Sequence, residues 1–295
     1  MPLAGELSAL LTAGLWAGSA LVFAEATARA GSMPVNLARL LLATLYLGIL
    51  IAVMGFSMRI SSSQAVFLCI SGVIGLAIGD SFLFNAFREL GPRITMLIMS
   101  TAPAVAALLA YILLHETLSL YGIIGILVTL AGIAMVVLER NPNAPRTPIA
   151  WRGVLFASIA AAGQGVGLIF AKLAFLEGEI NGFVATLIRI LGSLVVMLPI
   201  GFVAARSSKA FNTLLTDRRA FVLTAVGAVL GPFLGISFSL IDVAYTSVGV
   251  AATIMATVPI LMLPLVHFIH KEKLSWKAVM GAVIAVAGVA VLFLR

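Results

Sequence analysis

The sequence predicts an all-α polytopic membrane protein, with ten transmembrane helices in two inverted five-helix repeats, and three observations carry that reading. Hydrophobic residues make up 62% of the 295 positions and charged residues 10%, with a mean hydropathy of +1.19, values far outside those of soluble domains. Ten apolar windows follow one another, each about as long as a helix must be to cross a lipid core about 30 Å thick. The chain also matches itself at a spacing of 156 residues, as Glu116 and Glu272 first reveal.

The first window, 6–28, has an apolar run too long for a signal peptide and nothing basic before it, so it reads as a retained helix. The second, 34–54, carries Arg39 near its start. The third, 64–86, holds Asp80, and the fourth, 92–114, holds Pro103. The fifth, 118–138, follows the turn LLHETLSLYGIIG, where Glu116 favours the positive end of the coming helix and Ser119 is a candidate N-cap. The second half runs in the same order: 152–175 with Gln164 and Lys172, 181–203 with Arg189, 220–242 with Ser239, 248–268 with Pro259, and 276–294 after Glu272 and Ser275. The longest connections, 139–151 and 204–219, are too short to fold alone. The expected division is therefore 1–138, a linker at 139–151, and 152–295, within one membrane domain.

Between 75–138 and 231–294, 17 of 64 positions are identical, where this composition gives about a tenth by chance. Pro103 falls on Pro259, Thr101 on Thr257, and Gly75 and Gly79 on Gly231 and Gly235. The earlier helices match at shifted offsets: Gly18 falls on Gly165 and Arg39 on Arg189. Five helices is an odd number, so the second copy enters the membrane from the opposite side, an arrangement suited to alternating access.

The Leu15-Trp16-Ala17-Gly18 start, the ARLLLA of 38–43, the matched Pro103 and Pro259 in windows four and nine, and the E-x-L-S…G element closing each half resemble the EamA-type exporters of the drug/metabolite transporter superfamily. The resemblance implies a central cavity lined mainly by helices one, three, four, six, eight and nine, and export of small metabolites such as amino acids. This chain departs from the family pattern at the end of helix one, where Glu25 replaces the usual lysine and Lys172 stands at the matching place in helix six. It departs in orientation too. Connections on the side of Met1 carry few basic residues beyond Arg59 and Arg295, whereas the other side carries Arg29, Arg140, Arg146, Arg206, Arg218, Arg219 and Lys271 among others. The positive-inside rule then favours both termini outside, against the family pattern.

Ionisable groups in the lipid core need a cavity or a partner. Asp80 has no counterpart in the second half, where Ile236 replaces it; it is expected to carry protons, to bind a substrate amine, or to pair with an intramembrane arginine. Arg189 lies deep in helix seven and is expected to hold a substrate carboxylate or a carboxylate of a neighbouring helix. Arg39 is shallower, and snorkelling would account for it. Glu25, Arg39 and Lys172 are gate candidates, with interface anchoring as the alternative. Pro103 and Pro259 would each free a carbonyl in mid-helix, beside a water-filled path or at a packing kink. Ser100, Thr101, Thr257, Asn85, Gln164 and Ser239 are polar candidates for the path, with Trp16, Phe82 and Phe238 as its apolar wall. Glycine spacings such as 75/79 and 227/231/235 suit close helix approach.

Other function classes find little support. The net charge of +7 is spread over the connections, which suits lipid headgroups and orientation rather than nucleic acid. Cys69 is the single cysteine and excludes an internal disulfide; His267 and His270 share a helix face with no third ligand near, so no metal is expected. No G-x-x-x-x-G-K-[ST] loop is present, so no nucleotide cofactor is expected. The expected partners are a small-molecule substrate, protons and the lipid bilayer, with no oligomeric state assigned. A channel, an uncoupled facilitator and, without a catalytic cluster, an embedded enzyme are the competing readings.

Overall fold

Long apolar runs without internal polar partners must satisfy their backbone groups locally, and the chain does so by helix formation throughout. A computed structural model describes residues 4–115, 119–138, 150–207, 210–270 and 276–293, and among these no strand occurs. In the first half the helices are α1 (Ala4–Ala30), α2 (Ser32–Met54), α3 (Ser62–Gly72), α4 (Asp80–Met99), α5 (Ala102–Leu113) and α6 (Leu120–Leu138). In the second they are α7 (Trp151–Leu176), α8 (Gly182–Ser207), the short α9 (Ala210–Thr216), α10 (Arg218–Ala228), α11 (Ile236–Tyr245), α12 (Val248–Met255), α13 (Val258–His270) and α14 (Trp276–Phe293). Six helical stretches among the described residues are long and apolar enough to cross a membrane: Gly5–Ala30, Ser32–Met54, Ser62–Pro92, Trp151–Leu176, Gly182–Ala204 and Arg218–Tyr245. The remaining apolar windows form shorter or interrupted helices.

The interruptions recur at the same 156-residue spacing. A π-helical segment joins α3 to α4 at Val73–Gly79, and another joins α10 to α11 at Val229–Gly235. At their ends the N–H of Asp80 donates to the Gly75 carbonyl and that of Ile236 to the Gly231 carbonyl, five residues back in each case. Such wide turns are rare and concentrate at functional sites. Within α4, Gly91 takes a left-handed φ of 74° that bends the chain between windows three and four.

Helix breaks also recur, at Ser100–Thr101 and Ala256–Thr257. The expectation that Pro103 and Pro259 would sit in mid-helix is corrected here. Each is the second residue of a new helix, α5 or α13, where a missing N–H removes a donor that has no intrahelical partner anyway.

Contacts between the halves are reciprocal. A Cβ on Gly132 would collide with Ala285 and the Gly281 carbonyl, and one on Gly288 would collide with Thr129 and the Gly125 carbonyl. Adding 156 converts the first contact into the second with its members exchanged, the pattern of a two-fold relation. Ser100 Oγ donates to the carbonyl of Ala256, its own counterpart, at 3.4 Å. The π segments exchange partners too: Gly79 lies against Gly163 of α7, while Gly235 lies against Trp16 of α1.

Two ends of the bundle can be distinguished by contact. At one, Arg29 reaches Asp217 at 3.2 Å and Arg219 reaches Glu25 at 2.7 Å, joining the end of α1 to the start of α10. At the other, Gln64 at the start of α3 donates to the carbonyl of Gly178, beyond α7, at 3.1 Å, and Gly5 abuts Asp242 and Thr246 at the end of α11. Ser119 caps α6 as expected, its Oγ accepting from the N–H of Gly122 at 3.1 Å. Glu116, Glu272 and Ser275, the linker at 139–149, and the side chains of Pro103, His267 and His270 lie outside the described residues.

Candidate functional site

At the centre, helices of both halves surround a cavity with about 610 Å³ of empty space, its mouth included. Its walls are mostly apolar: Trp16 and Phe23 from α1, Phe84 and Phe87 from α4, and Leu76 from the first π segment. Among the described residues five polar side chains reach it: Ser19, Arg39, Asp80, Gln164 and Arg189. A second space of about 400 Å³ adjoins it, bounded by the break at Ser100 and by Met255, Ala256 and Val258, and shares Trp16, Met96, Met99 and Gln164 with the first. Helices one, three, four, six, eight and nine of the sequence reading are thus represented around the two spaces, and the second and seventh are added through their arginines.

Arg39 is not at the interface. It is 4% exposed, so snorkelling is ruled out, and the reason is a partner 41 residues away: its Nη2 donates to Asp80 Oδ2 at 2.5 Å. Its Nε donates to Asn36 Oδ1 at 2.9 Å, Asn36 Nδ2 donates to Ser81 Oγ at 2.9 Å, and Ser81 Oγ donates back to the Ala77 carbonyl of the π segment. The guanidinium lies 4.9 Å from the centroid of Phe84 and 5.7 Å from that of Phe23, within cation–π range. Asp80 is therefore the partner of an intramembrane arginine, one of the roles expected of it.

Among the described residues Arg189 is the largest fully buried side chain, 1% exposed. Among the described residues its Nε and Nη2 find no hydrogen-bond acceptor and no carboxylate comes within 4 Å; the charged groups whose fields reach it are Asp80 and Arg39. Glycines make room for it. A Cβ on Gly75 would stand 2.7 Å from Nη2, and one on Gly167 would stand 3.1 Å from it.

Other expected residues are placed elsewhere. Thr101 is exposed and bonds the Ile98 carbonyl, Thr257 bonds that of Ile254, Ser239 that of Ile236, and Asn85 that of Ser81. None of the four borders either cavity. Local back-bonding of this kind satisfies a hydroxyl without any ligand. Phe82 and Phe238 also miss the cavity, packing against Phe156 at 5.6 Å and Phe183 at 6.2 Å. The wall is built instead from Phe84 and Phe87, which helical rotation turns inward.

Of the gate candidates, Arg39 borders the central cavity, and Glu25 and Lys172 sit at opposite ends. Glu25 is held by Arg29 and Arg219 rather than by Arg39. Lys172 donates to the carbonyls of Val243 at 2.8 Å and Thr246 at 3.1 Å, where a cation suits the negative end of α11. Near Glu25, Asp217 caps α10. The N–H of Ala220, with Arg29 and the N–H of Arg219, holds its carboxyl below the ordinary carboxylate range.

Sequence reasoning missed Ser19, Phe23, Asn36, Ser81, Phe84 and Phe87. The i, i+3 spacing of Asn36 and Arg39 was a usable signal for one of them.

The profile of the EamA-like transporter family matches residues 3–138 and again 151–294. No curated protein matches significantly. A solved crystal structure superposes with a TM-score of 0.72 at 19% identity over 97% of this chain and 96% of that one. That likeness concerns the fold.

Proposed function

The chain belongs to the EamA-like transporter family, and from that premise we propose that it is a secondary active transporter exporting a small amphipathic metabolite by alternating access. It is an integral multi-pass membrane protein. The observation that carries the proposal is the central cavity, apolar on most sides, with two arginines and one acid drawn from both halves. Transport chemistry needs a site at the junction of two similar units that can rock against each other.

Ten spans in two inverted repeats, 1–138 and 152–295 around the linker 139–151, are the architecture of this proposal. The contacts at the bundle ends support it, because ten alternating spans bring the ends of the first span and the start of the eighth to one side, as the Glu25–Arg219 pair requires. Glu25 and Lys172, matched in sequence, lie near opposite ends, as inversion demands.

Amino acids and related compounds are the substrate class favoured by the family resemblance. Proton coupling through Asp80 is part of the proposal, since protonation would release Arg39. An uncoupled facilitator is the second reading, favoured by the engagement of Asp80 with Arg39. Reconstituted protein should give saturable counterflow with a panel of amino acids and organic acids. Conductance without saturation would replace the transporter by a channel, and unchanged pH-gradient-driven flux in Asp80→Asn would replace coupling by facilitation. The proposal places the protein in the inner membrane, and the distribution of basic residues favours both termini outside; activity of a reporter fused after Arg295 that works only in the cytoplasm would reverse that orientation.

A further inference from the structure

We infer that the central cavity is a site for an organic monocarboxylate, a net monoanion with an apolar arm, held by the guanidinium of Arg189. The inference rests on the transporter reading and puts a simple carboxylate in place of the amino acids that the family resemblance favours.

The repeat supplies matched arginines, Arg39 and Arg189, but a single acid, because the counterpart of Asp80 is Ile236, and all four residues border the cavity. Asp80 is engaged by Arg39 at 2.5 Å. Among the described residues one guanidinium is left over, so their side chains give the cavity one net positive charge.

That charge is in a costly place. Arg189 is 1% exposed, and two of its nitrogens have no acceptor among the described residues. A buried charge without a partner is strongly destabilising unless a ligand or counter-ion compensates it. Glycines at 75 and 167 hold the guanidinium in a slot that any larger residue would fill.

The size of the excess selects the ligand. A single positive charge is neutralised by a carboxylate, whereas a phosphate monoester carries about −1.5 to −2 at neutral pH and would leave negative charge in an apolar cavity. A planar carboxylate also matches the fork of an arginine. An amino acid would bring an ammonium as well, and the one carboxylate that lines the cavity among the described residues is already engaged by Arg39. The remaining wall, chiefly Trp16, Phe23, Phe84 and Phe87, would take an apolar or aromatic arm.

The test compares four probes of one shape on the full-length protein in detergent: 3-phenylpropanoate, its amide, the matching amine, and phenylalanine. Thermal stabilisation reads binding to the folded state without requiring transport. The carboxylate is expected to raise the melting temperature saturably, with the amide, amine and zwitterion at least about tenfold weaker. Arg189→Lys and Arg189→Gln should weaken the carboxylate by about a hundredfold and leave the amide unaffected. Equal shifts from carboxylate and amide, equal shifts from carboxylate and zwitterion, or no shift from any probe overturn the inference. Counterflow separates the two readings. Flux of phenylalanine without flux of the carboxylate leaves the transporter in place and removes the anion site, whereas carboxylate binding without counterflow of any probe keeps the site and removes the transporter.

Discussion

Replacing Gly75 by alanine perturbs the slot around Arg189 with one methyl group. The new carbon would stand 2.7 Å from Nη2 of Arg189, whereas non-bonded heavy atoms rest about 3.5 Å apart or more. The guanidinium must therefore retreat by about 0.8 Å. Overpacking of a filled interior costs about 1–3 kcal/mol, and the lower half of that range is expected because the atom displaced is the far end of a side chain. Gly75→Ala should fold, unfold a few degrees below the wild type, and bind 3-phenylpropanoate about tenfold more weakly, the equivalent of about 1.4 kcal/mol. Gly72→Ala provides the scale, since its Cβ would strike the backbone carbonyl of Arg189, which has no rotamer to change. Its loss of stability should be clearly larger. A Gly75→Ala protein with unchanged melting temperature and unchanged carboxylate affinity would refute the slot, and one as unstable as Gly72→Ala would refute the mobility ascribed to the guanidinium.

Asp80→Asn leaves two buried guanidiniums unopposed; breaking a buried pair costs about 3–5 kcal/mol, and about 3 kcal/mol is expected because Asp80 keeps 14% exposure. Thermal unfolding checks this, and a loss well below about 1 kcal/mol would mean that the pair with Arg39 contributes little. Asp217→Asn keeps the cap on α10 but removes its charge. Because the carboxyl of Asp217 is held below its ordinary range by the Ala220 N–H, Arg219 N–H and Arg29, its contribution is present above the unfolded carboxylate range and lost as pH falls through the lowered value. The variant should melt below the wild type at neutral pH and level with it in acid; a gap that persists or widens in acid contradicts the assignment.

The helical class and the duplication were legible because apolar runs and repeated glycines, prolines and glutamates need no tertiary information. Pro103 and Pro259 announced the breaks at Ser100 and Ala256, although the first-turn position of each proline emerges only when the helices are seen to restart. The π segments carry no propensity signal. Gly75 and Gly79 were read as packing positions, and their role in widening a turn and housing Arg189 depends on α7 and α8. Arg39 was misplaced because depth along a helix was judged without Asp80, its partner from another span. Of the three aromatic residues chosen for the wall, Trp16 lines it, whereas Phe82 and Phe238 were one helical face away from those that form it, a rotation fixed only by packing against neighbouring helices. Arg189 was recognised at the sequence level because an arginine deep in an apolar helix is costly wherever it points.

The central claim is that one unmatched arginine makes this transporter's cavity selective for an anion. Ile236→Asp supplies the missing acid at the position matched to Asp80, so the most direct measurement is trans-stimulated flux of labelled 3-phenylpropanoate in proteoliposomes of wild type and Ile236→Asp. Saturable flux in the wild type that falls by about a hundredfold in the variant, with folding unimpaired by thermal unfolding, is the predicted result. Equal flux in the two proteins would contradict the account.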